Sequence, residues 1–282
     1  MKILPLTLLG AAALSVLSLS GSANAIEVVH FNSAVLPSAA KQESGAVPEE
    51  GFPIWGHLSK PKGEGPFPAV ILMHGCGGLL QAHFDWAAML NEQGYVTLVL
   101  DSFGPRSVVR VCTSDNRPTA PAQRALDAYG ALAYLSGLSD VDPARIGVIG
   151  WSHGAIATLE AVNRRGISER FQNNFRAAAA FYPYCISDRE FDLPVLVLIG
   201  DADDWTPPDL CRDLAKRNQS SDLFELVTYP GAFHGFDNID FNEGFYVDGA
   251  GGGRHWLQYD PDAYRDSVSR IEAFLAEHLS GR

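Results

Sequence analysis

The sequence predicts an α/β fold whose central sheet is mainly parallel and covered by helices on both faces. Short apolar segments with the length of strands alternate along the chain with segments of helical period. These short segments, such as 68–74 and 95–101, are almost continuously apolar rather than alternately polar and apolar. Continuous apolarity is typical of strands buried on both faces, and alternation with helices favours parallel strands joined by crossover helices.

Each predicted element follows from local sequence features. Residues 26–50 mix short apolar pieces with Ser, Ala, Pro and Glu, and they are interpreted as an N-terminal arm. Gly94 ends the first helix, while Asp260 and Pro261 supply the cap and the first-turn proline of the last one. Strands are predicted at 52–59, 68–74, 95–101, 145–151, 176–182, 193–200 and 223–229. Helices are predicted at 81–93, 121–138, 152–163, 207–216 and 261–279.

The first 25 residues are predicted to be a secretory signal peptide, which implies a periplasmic or secreted protein. Lys2 precedes an apolar run that ends in Ala23-Asn24-Ala25, the small-residue pattern of a cleavage site. An uncleaved membrane anchor is the alternative, but Pro5 and Gly10 interrupt the run, which is marginal against the roughly 20 residues of a membrane span. Residues 26–282 are then expected to form a single domain.

The charge of the chain argues against two classes of partner. Its formal net charge is −12 at pH 7, and removal of a segment whose only charged side chain is Lys2 would make it more negative. An acidic surface repels phosphate backbones and anionic lipid headgroups. We therefore expect neither a nucleic acid partner nor a stable association with membranes. We expect a small-molecule substrate instead.

The four cysteines, Cys76, Cys112, Cys185 and Cys211, all lie in the predicted exported part of the chain. Export allows disulfides, and four cysteines can pair in three ways. Cys76 and Cys112 follow two strands that should be neighbours, and Cys185 and Cys211 follow two others. This favours the pairs Cys76–Cys112 and Cys185–Cys211. The spacings fit no zinc-binding pattern, so no metal site is predicted.

The pentapeptide Gly150-Trp151-Ser152-His153-Gly154 lies where a predicted strand passes into a predicted helix. This is the sequence form of a nucleophile elbow, a tight turn that lifts a serine out of the sheet. The flanking positions are glycine because side chains there would collide. Ser152 is thus the candidate nucleophile, although serine is also a common helix N-cap.

Two further strand ends carry the residues that a serine nucleophile needs. In a parallel sheet, reactive groups gather at the carboxyl ends of the strands. Asp203 follows the strand at 193–200 and His234 follows the strand at 223–229. A serine needs a base, and the base needs an acceptor that fixes its tautomer, so His234 and Asp203 are assigned these roles. The order Ser, Asp, His is that of α/β-hydrolases.

Three competitors for these roles are less favoured. Asp201 is too close to the end of its strand, and Asp204 should point away from His234. His255 could replace His234 as the base, but no strand precedes it to position it.

The loop His74-Gly75-Cys76-Gly77-Gly78 follows the second predicted strand and resembles the glycine-rich loops that form oxyanion holes. We expect the backbone N–H of Cys76, with that of Gly75 as the alternative, to act with the N–H of His153. The side chains of His74 and His153 are interpreted as structural. Cys76 itself is a poor candidate for a nucleophile, because it lacks an elbow.

These motifs together resemble the dienelactone hydrolase family of the α/β-hydrolase superfamily over roughly residues 52–279. The resemblance implies hydrolysis of a carboxylic ester or lactone without a metal or cofactor. Dienelactone hydrolases proper have a cysteine at the elbow and a glutamate in the glycine-rich loop, whereas this chain has Ser152 and no such glutamate. The motifs that carry the resemblance are the glycine-rich loop, the elbow, residues 200–207 and residues 229–236.

The resemblance suggests one substrate-binding residue, and position beside the candidate triad suggests two more. Arg106 lies where the family has an arginine that grips a substrate carboxylate, although an exposed loop arginine is the alternative. Trp151 and Trp205 flank the candidate triad and would form an apolar wall of the site, or pack in the core.

The favoured hypothesis is an exported serine esterase that acts through an acyl-enzyme. A peptidase or acyltransferase that uses the same triad is one alternative. A non-catalytic binding protein that kept the fold is another, because a fold does not establish a function.

Overall fold

The computed structural model describes residues 26–36, 50–113, 119–186, 188–250 and 252–281. The predicted signal peptide lies outside the described residues. The strands are β1 (Glu27–Asn32), β2 (Pro53–Ser59), β3 (Phe67–Met73), β4 (Val96–Asp101), β5 (Val141–Trp151), β6 (Ala177–Phe181), β7 (Val195–Gly200), β8 (Phe224–Tyr229), β9 (Phe245–Asp248) and β10 (Arg254–Leu257). The helices are α1 (Gln81–Glu92), α2 (Pro121–Ser136), α3 (His153–Ala161), α4 (Pro208–Asn218) and α5 (Pro261–Leu279).

Eight of the strands form one sheet in the order β1-β2-β4-β3-β5-β6-β7-β8. β2 pairs antiparallel with both β1 and β4, and all other pairs in this sheet are parallel. The expectation of a mainly parallel sheet is confirmed. Because the carboxyl ends of β3 and β5–β8 lie at one edge, the loops after them meet there.

The glycines of β5 show that helices cover both faces of the sheet. A Cβ at Gly147 would contact Leu279 of α5, whereas a Cβ at Gly150 would overlap backbone of Gly154 in α3. Positions three apart on a strand point to opposite faces. Helices α5 and α3 therefore pack on opposite sides of β5, where small side chains let them approach closely.

The sequence interpretation missed three short strands. Residues 26–50 were expected to be an arm, but β1 pairs with β2 at the sheet edge, with Val29 as its one fully buried apolar side chain. β9 and β10 form a separate antiparallel hairpin within the segment between β8 and α5. Strands that bury so little give no continuous apolar run, which is the signal that predicted the others.

Two disulfides join Cys76 to Cys112 and Cys185 to Cys211, which confirms the predicted pairing. The first connects the loop after β3 to the segment after β4, and these strands are neighbours. The second connects the segment after β6 to α4, which follows the neighbouring β7. In the part of the chain that the structure describes, none of the helices has the length and apolarity that a membrane span requires.

Candidate active site

Ser152 stands on a strained turn between β5 and α3. Its φ of 53° and ψ of −117° are unusual for a residue with a side chain, and such strain is typical of functional positions. A Cβ at Gly154 would overlap the carbonyl oxygen of Met73, so the elbow needs glycine there. Ser152 occupies the N-cap position of α3, but its hydroxyl makes no cap hydrogen bond to that helix. Helix capping therefore does not account for this serine.

The hydroxyl of Ser152 is instead the first member of a hydrogen-bonded chain. Ser152 Oγ lies 2.9 Å from His234 Nε2, and His234 Nδ1 lies 2.7 Å from Asp203 Oδ2. His234 and Asp203 are buried, and each is 3% exposed. The three residues are arranged as in a Ser-His-Asp triad at the carboxyl ends of β5, β7 and β8.

Asp203 is held as a carboxylate by the turn that follows β7. Its Oδ1 accepts the backbone N–H groups of Trp205 and Thr206, each at 2.9 Å, and the Thr206 hydroxyl lies 2.8 Å from Oδ2. Burial would raise the pKa of Asp203, but the nearby His234 and these hydrogen bonds outweigh it and lower the pKa below its usual value. Sequence analysis missed Thr206, although its position three residues after Asp203 is typical of such a turn.

The competing residues lie elsewhere in the structure. Asp201 Oδ1 accepts the backbone N–H of Gly231 at 2.6 Å and so links the loops after β7 and β8. Asp204 lies 3.4 Å from Nδ1 of His255. The His255 ring stacks on Trp205, with ring centroids 5.1 Å apart, and does not join the hydrogen-bonded chain of Ser152.

The glycine-rich loop lies against the elbow. A Cβ at Gly75 would lie 3.6 Å from Ser152 Cβ, so the loop backbone passes close to the serine. Cys76 is fastened to the segment after β4 by its disulfide and by its carbonyl oxygen, which accepts the N–H of Val111 at 2.9 Å. His153 is the first residue of α3, where backbone N–H groups have no acceptor within the helix.

A buried arginine, missed by sequence analysis, connects the glycine-rich loop to the elbow. Arg124 of α2 is fully buried and donates from Nη2 to the carbonyl oxygen of His74 at 2.6 Å. Its Nη1 donates to His153 Nδ1 at 2.8 Å. Burial lowers the pKa of Arg124 to about 9, so it stays charged at neutral pH. Burial and the Arg124 charge lower the pKa of His153 to about 3, so this imidazole is neutral and can accept.

The sequence did contain a signal for Arg124. This residue precedes Ala128 by one helical turn, on the predicted apolar side of α2. An arginine on a buried helix face requires partners inside the protein. Sequence alone does not say which partners these are.

Ser152 opens onto two cavities. The first has a volume of about 100 Å³ and is mainly apolar, and Trp86, Trp151, Tyr182 and Trp205 are among its lining residues. The second is a more polar cleft that reaches past His153 and His255. Cys76 and Trp205 border both cavities, so they lie beside the serine from which the two diverge.

Arg106 lies outside both cavities, which corrects its expected place in the substrate site. Its guanidinium forms two hydrogen bonds to the Asp127 carboxylate at 2.8 and 2.9 Å, and a third to the carbonyl oxygen of Ser102 at 2.7 Å. Both charged side chains are buried. This buried bidentate pair commits the guanidinium to Asp127 and away from both cavities, so Arg106 fastens the loop after β4 to α2.

Among the residues that the structure describes, no group of three or more His, Cys, Asp or Glu side chains is placed to hold a metal ion. The described reactive groups at the site are Ser152, His234, Asp203 and the nearby backbone N–H donors.

The fold and the site define a protein of the α/β-hydrolase superfamily. The chain belongs to the dienelactone hydrolase family, whose model matches residues 54–279. This confirms the resemblance noted in the sequence. Family membership and the arrangement of Ser152, His234 and Asp203 support hydrolysis of ester or lactone bonds.

Individual relatives agree with this placement. A Bradyrhizobium protein named "Probable 2-oxo-3-(5-oxofuran-2-ylidene)propanoate lactonase" is 27% identical over 205 residues, which cover 64% of this chain and 77% of that protein. The dienelactone hydrolase-like promiscuous phosphotriesterase P91 from metagenomic libraries shares the fold, with a TM-score of 0.64, 19% identity and coverage of 91% of this chain and 100% of that one. Apo esterase 2 from Thermogutta terrifontis has a TM-score of 0.60, 20% identity and coverage of 81% and 92%.

Proposed function

We propose that this protein is a serine hydrolase that cleaves small-molecule carboxylic esters or lactones through an acyl-enzyme formed on Ser152. The observation that carries the proposal is the continuous hydrogen-bonded chain from Ser152 Oγ through His234 to Asp203, built on a strained elbow. A serine hydroxyl is a weak nucleophile at its ordinary pKa, and such a chain is the arrangement that activates it.

In the first half of the reaction, Ser152 Oγ attacks the carbonyl carbon while His234 Nε2 accepts the hydroxyl proton. Asp203 stabilises the imidazolium through its bond to Nδ1 and keeps the ring oriented. The imidazolium then donates its proton to the leaving alcohol oxygen as the C–O bond breaks. For a lactone, that alcohol remains part of the acyl group.

In the second half, His234 takes a proton from water, and the resulting hydroxide attacks the acyl carbonyl. The imidazolium returns the proton to Ser152 as the acid product leaves. The backbone N–H groups of Cys76 and His153 are assigned to the oxyanion of both tetrahedral intermediates. One such donor contributes about 3 kcal/mol to the stability of a transition state.

Covalent labelling tests the nucleophile. A fluorophosphonate should modify the wild-type protein at Ser152, located by peptide mass spectrometry, and Ser152→Ala should be unlabelled. On 4-nitrophenyl esters, Ser152→Ala should lose at least about three orders of magnitude in kcat. Ser168→Ala, which changes a buried serine bonded to the Asn163 carbonyl, is the control and should keep full activity.

The rival hypotheses give different results in these assays. A binding protein that kept the fold would be neither labelled nor active. A peptidase would cleave amide substrates with kcat/KM comparable to that for esters, and an acyltransferase would favour an added alcohol over water. The lactonase named among the relatives supports including a lactone carrying a propanoate group among the substrates tested.

We also propose that the chain is exported, with cleavage after Ala25, and that residues 26–282 form one domain. Two disulfides are compatible with an oxidising compartment, and the single eight-stranded sheet supports one domain. Mass spectrometry of the mature protein from its native cell should find Ile26 at the N-terminus. Recovery of Met1 or Lys2 in the mature chain would contradict the cleavage site.

A further inference from the structure

A carboxylate without a cationic partner lies in the wall of the apolar cavity. Asp237 follows the candidate base by three residues and is 5% exposed. Its Oδ2 accepts the indole N–H groups of Trp151 at 2.7 Å and Trp86 at 3.1 Å, and its Oδ1 accepts the Tyr182 hydroxyl at 2.7 Å. None of the ion pairs among the described residues includes Asp237.

The three partners of Asp237 favour its charged form. Both indoles can only donate, and the Tyr182 hydroxyl donates to Oδ1 here, so all three hydrogen bonds stabilise the carboxylate form of Asp237. Burial raises the pKa of Asp237 above its usual value, while the three hydrogen bonds act in the opposite direction. The three donors, Trp86, Trp151 and Tyr182, therefore hold Asp237 as a negative charge beside the cavity that opens from Ser152.

Among the described residues, the rest of the cavity lining offers no compensating positive charge. No Lys or Arg is among the described residues that line it. His83 lines it, but burial lowers the pKa of His83 to about 4, so this imidazole is neutral at pH 7. Arg106 is committed to Asp127. A substrate carboxylate placed here would lose its hydration and meet a like charge, in surroundings where such repulsion is strong.

We propose that Asp237 is a specificity-determining residue that restricts the apolar cavity to uncharged groups, so that the enzyme hydrolyses neutral esters and lactones in preference to those bearing a carboxylate. This inference rests on the proposed function. An enzyme whose cavity carries a free arginine for a substrate carboxylate would have the opposite preference.

The test compares matched substrates that differ in one charge. On the acyl side, 4-nitrophenyl hexanoate is paired with the 4-nitrophenyl monoester of adipic acid. On the alcohol side, phenyl acetate is paired with 3-carboxyphenyl acetate. Each kcat/KM is divided by the rate constant for hydroxide-catalysed hydrolysis, which removes intrinsic reactivity. In at least one pair, the wild-type enzyme should prefer the neutral member by about 100-fold or more.

Asp237→Asn keeps the shape of the side chain and removes the charge. The amide oxygen can accept both indoles, and the amide nitrogen can donate to the Tyr182 hydroxyl, which can also act as an acceptor. We expect this variant to lower the neutral-to-anionic preference at least about tenfold. Trp86→Phe is the control, because it deletes one donor to Asp237 but keeps the charge. It should leave the preference within about threefold of the wild-type value.

Leu80→Lys is a second variant that does not depend on Asp237→Asn folding. Leu80 lines the cavity and is 39% exposed, and its bond to His83 Nδ1 comes from the backbone, so a lysine can replace it. This variant should lower the neutral-to-anionic preference at least about tenfold, because it places a positive charge beside the varied group.

Three outcomes would overturn the inference. Wild-type preferences below about threefold in both pairs would exclude a charge filter. An unchanged preference in folded Asp237→Asn would show that Asp237 does not set it, and an unchanged preference in Leu80→Lys would show that the cavity does not bind the varied group. Absence of hydrolysis in every pair together with an unlabelled Ser152 would instead refute the proposed function, and the inference would fall with it.

Discussion

Replacement of Arg124 by methionine should slow catalysis although Arg124 does not reach either cavity. The guanidinium binds the carbonyl oxygen of His74, at the start of the glycine-rich loop, and the imidazole of His153, whose backbone N–H is an assigned oxyanion donor. It therefore holds the residues on both sides of the oxyanion hole in place. Methionine fills a similar length without a charge or a donor.

The expected fall in kcat is moderate because Arg124→Met keeps both assigned oxyanion donors. Loss of one oxyanion donor costs about 100- to 1000-fold in kcat. In Arg124→Met both donors remain, but their supports are lost, and a misplacement of about 1 Å can cost on the order of 100-fold. We expect kcat to fall about 10- to 100-fold, with KM changing less than about threefold.

The Arg124→Met variant should lose some stability but remain folded. The buried carbonyl oxygen of His74 and the partly buried Nδ1 of His153 lose a charged donor, at about 1–3 kcal/mol each. Removal of a buried cation that makes no ion pair within the described residues offsets part of that loss. We expect the free energy of unfolding to change by less than about 3 kcal/mol, so the variant should remain folded for kinetic measurements.

The assay is steady-state hydrolysis of a neutral 4-nitrophenyl ester, with circular dichroism and urea unfolding to verify the fold. Arg189→Met is the matched control, since Arg189 is also buried but pairs with Glu160. That variant should lose stability while keeping kcat within about twofold. A folded Arg124→Met enzyme with wild-type kcat would refute the positioning role.

Two other predictions concern the fold around the site. Serine substitution of both cysteines in Cys76–Cys112 or in Cys185–Cys211 should destabilise the protein by a similar amount, about 3–4 kcal/mol, because the bridges span 36 and 26 residues. Only the first pair should also lower kcat, since it fastens an assigned oxyanion donor; equal kcat losses would contradict this. His83 has a native pKa of about 4 and an unfolded pKa near 6.5, so the unfolded state binds the proton first as the pH falls. The free energy of unfolding should then decrease as the pH falls from 6.5 toward 4, and His83 should account for on the order of 3 kcal/mol of this decrease. In urea unfolding, His83→Gln should lose less stability than wild type between pH 7 and 4.5; an equal loss would exclude His83 as the cause.

The sequence predicted the core strands and the neighbours of Ser152 for one shared reason. β3 and β7 are buried along most of their length and appear as apolar runs, and the glycine-rich loop and Asp203 follow at their carboxyl ends. The same reasoning could not find β1, whose stability comes from pairing with β2 rather than from its own apolar content.

Long-range polar partners were beyond the sequence for a different reason. Arg106 and Arg124 are both arginines near the site. The sequence suggested a substrate-binding role for Arg106 and no role for Arg124. Arg106 pairs with Asp127, which lies 21 positions away on a helix. Arg124 binds groups 50 and 29 positions away. Such partners are set by packing of helix on sheet, which local patterns do not encode.

The two residues that flank Ser152 show how these buried charges act together on the elbow. Trp151 donates its indole N–H to the Asp237 carboxylate, while His153 accepts from the Arg124 guanidinium. The elbow is thus bound on one side to an anion that borders the apolar cavity and on the other to a cation beneath the oxyanion hole. Negative charge that develops on the substrate oxygen is favoured on the side of His153, and a permanent negative charge on the substrate is disfavoured on the side of Trp151. Through Trp151 and His153, the rate of the reaction and the choice of substrate therefore depend on two charges that never touch the reacting atoms.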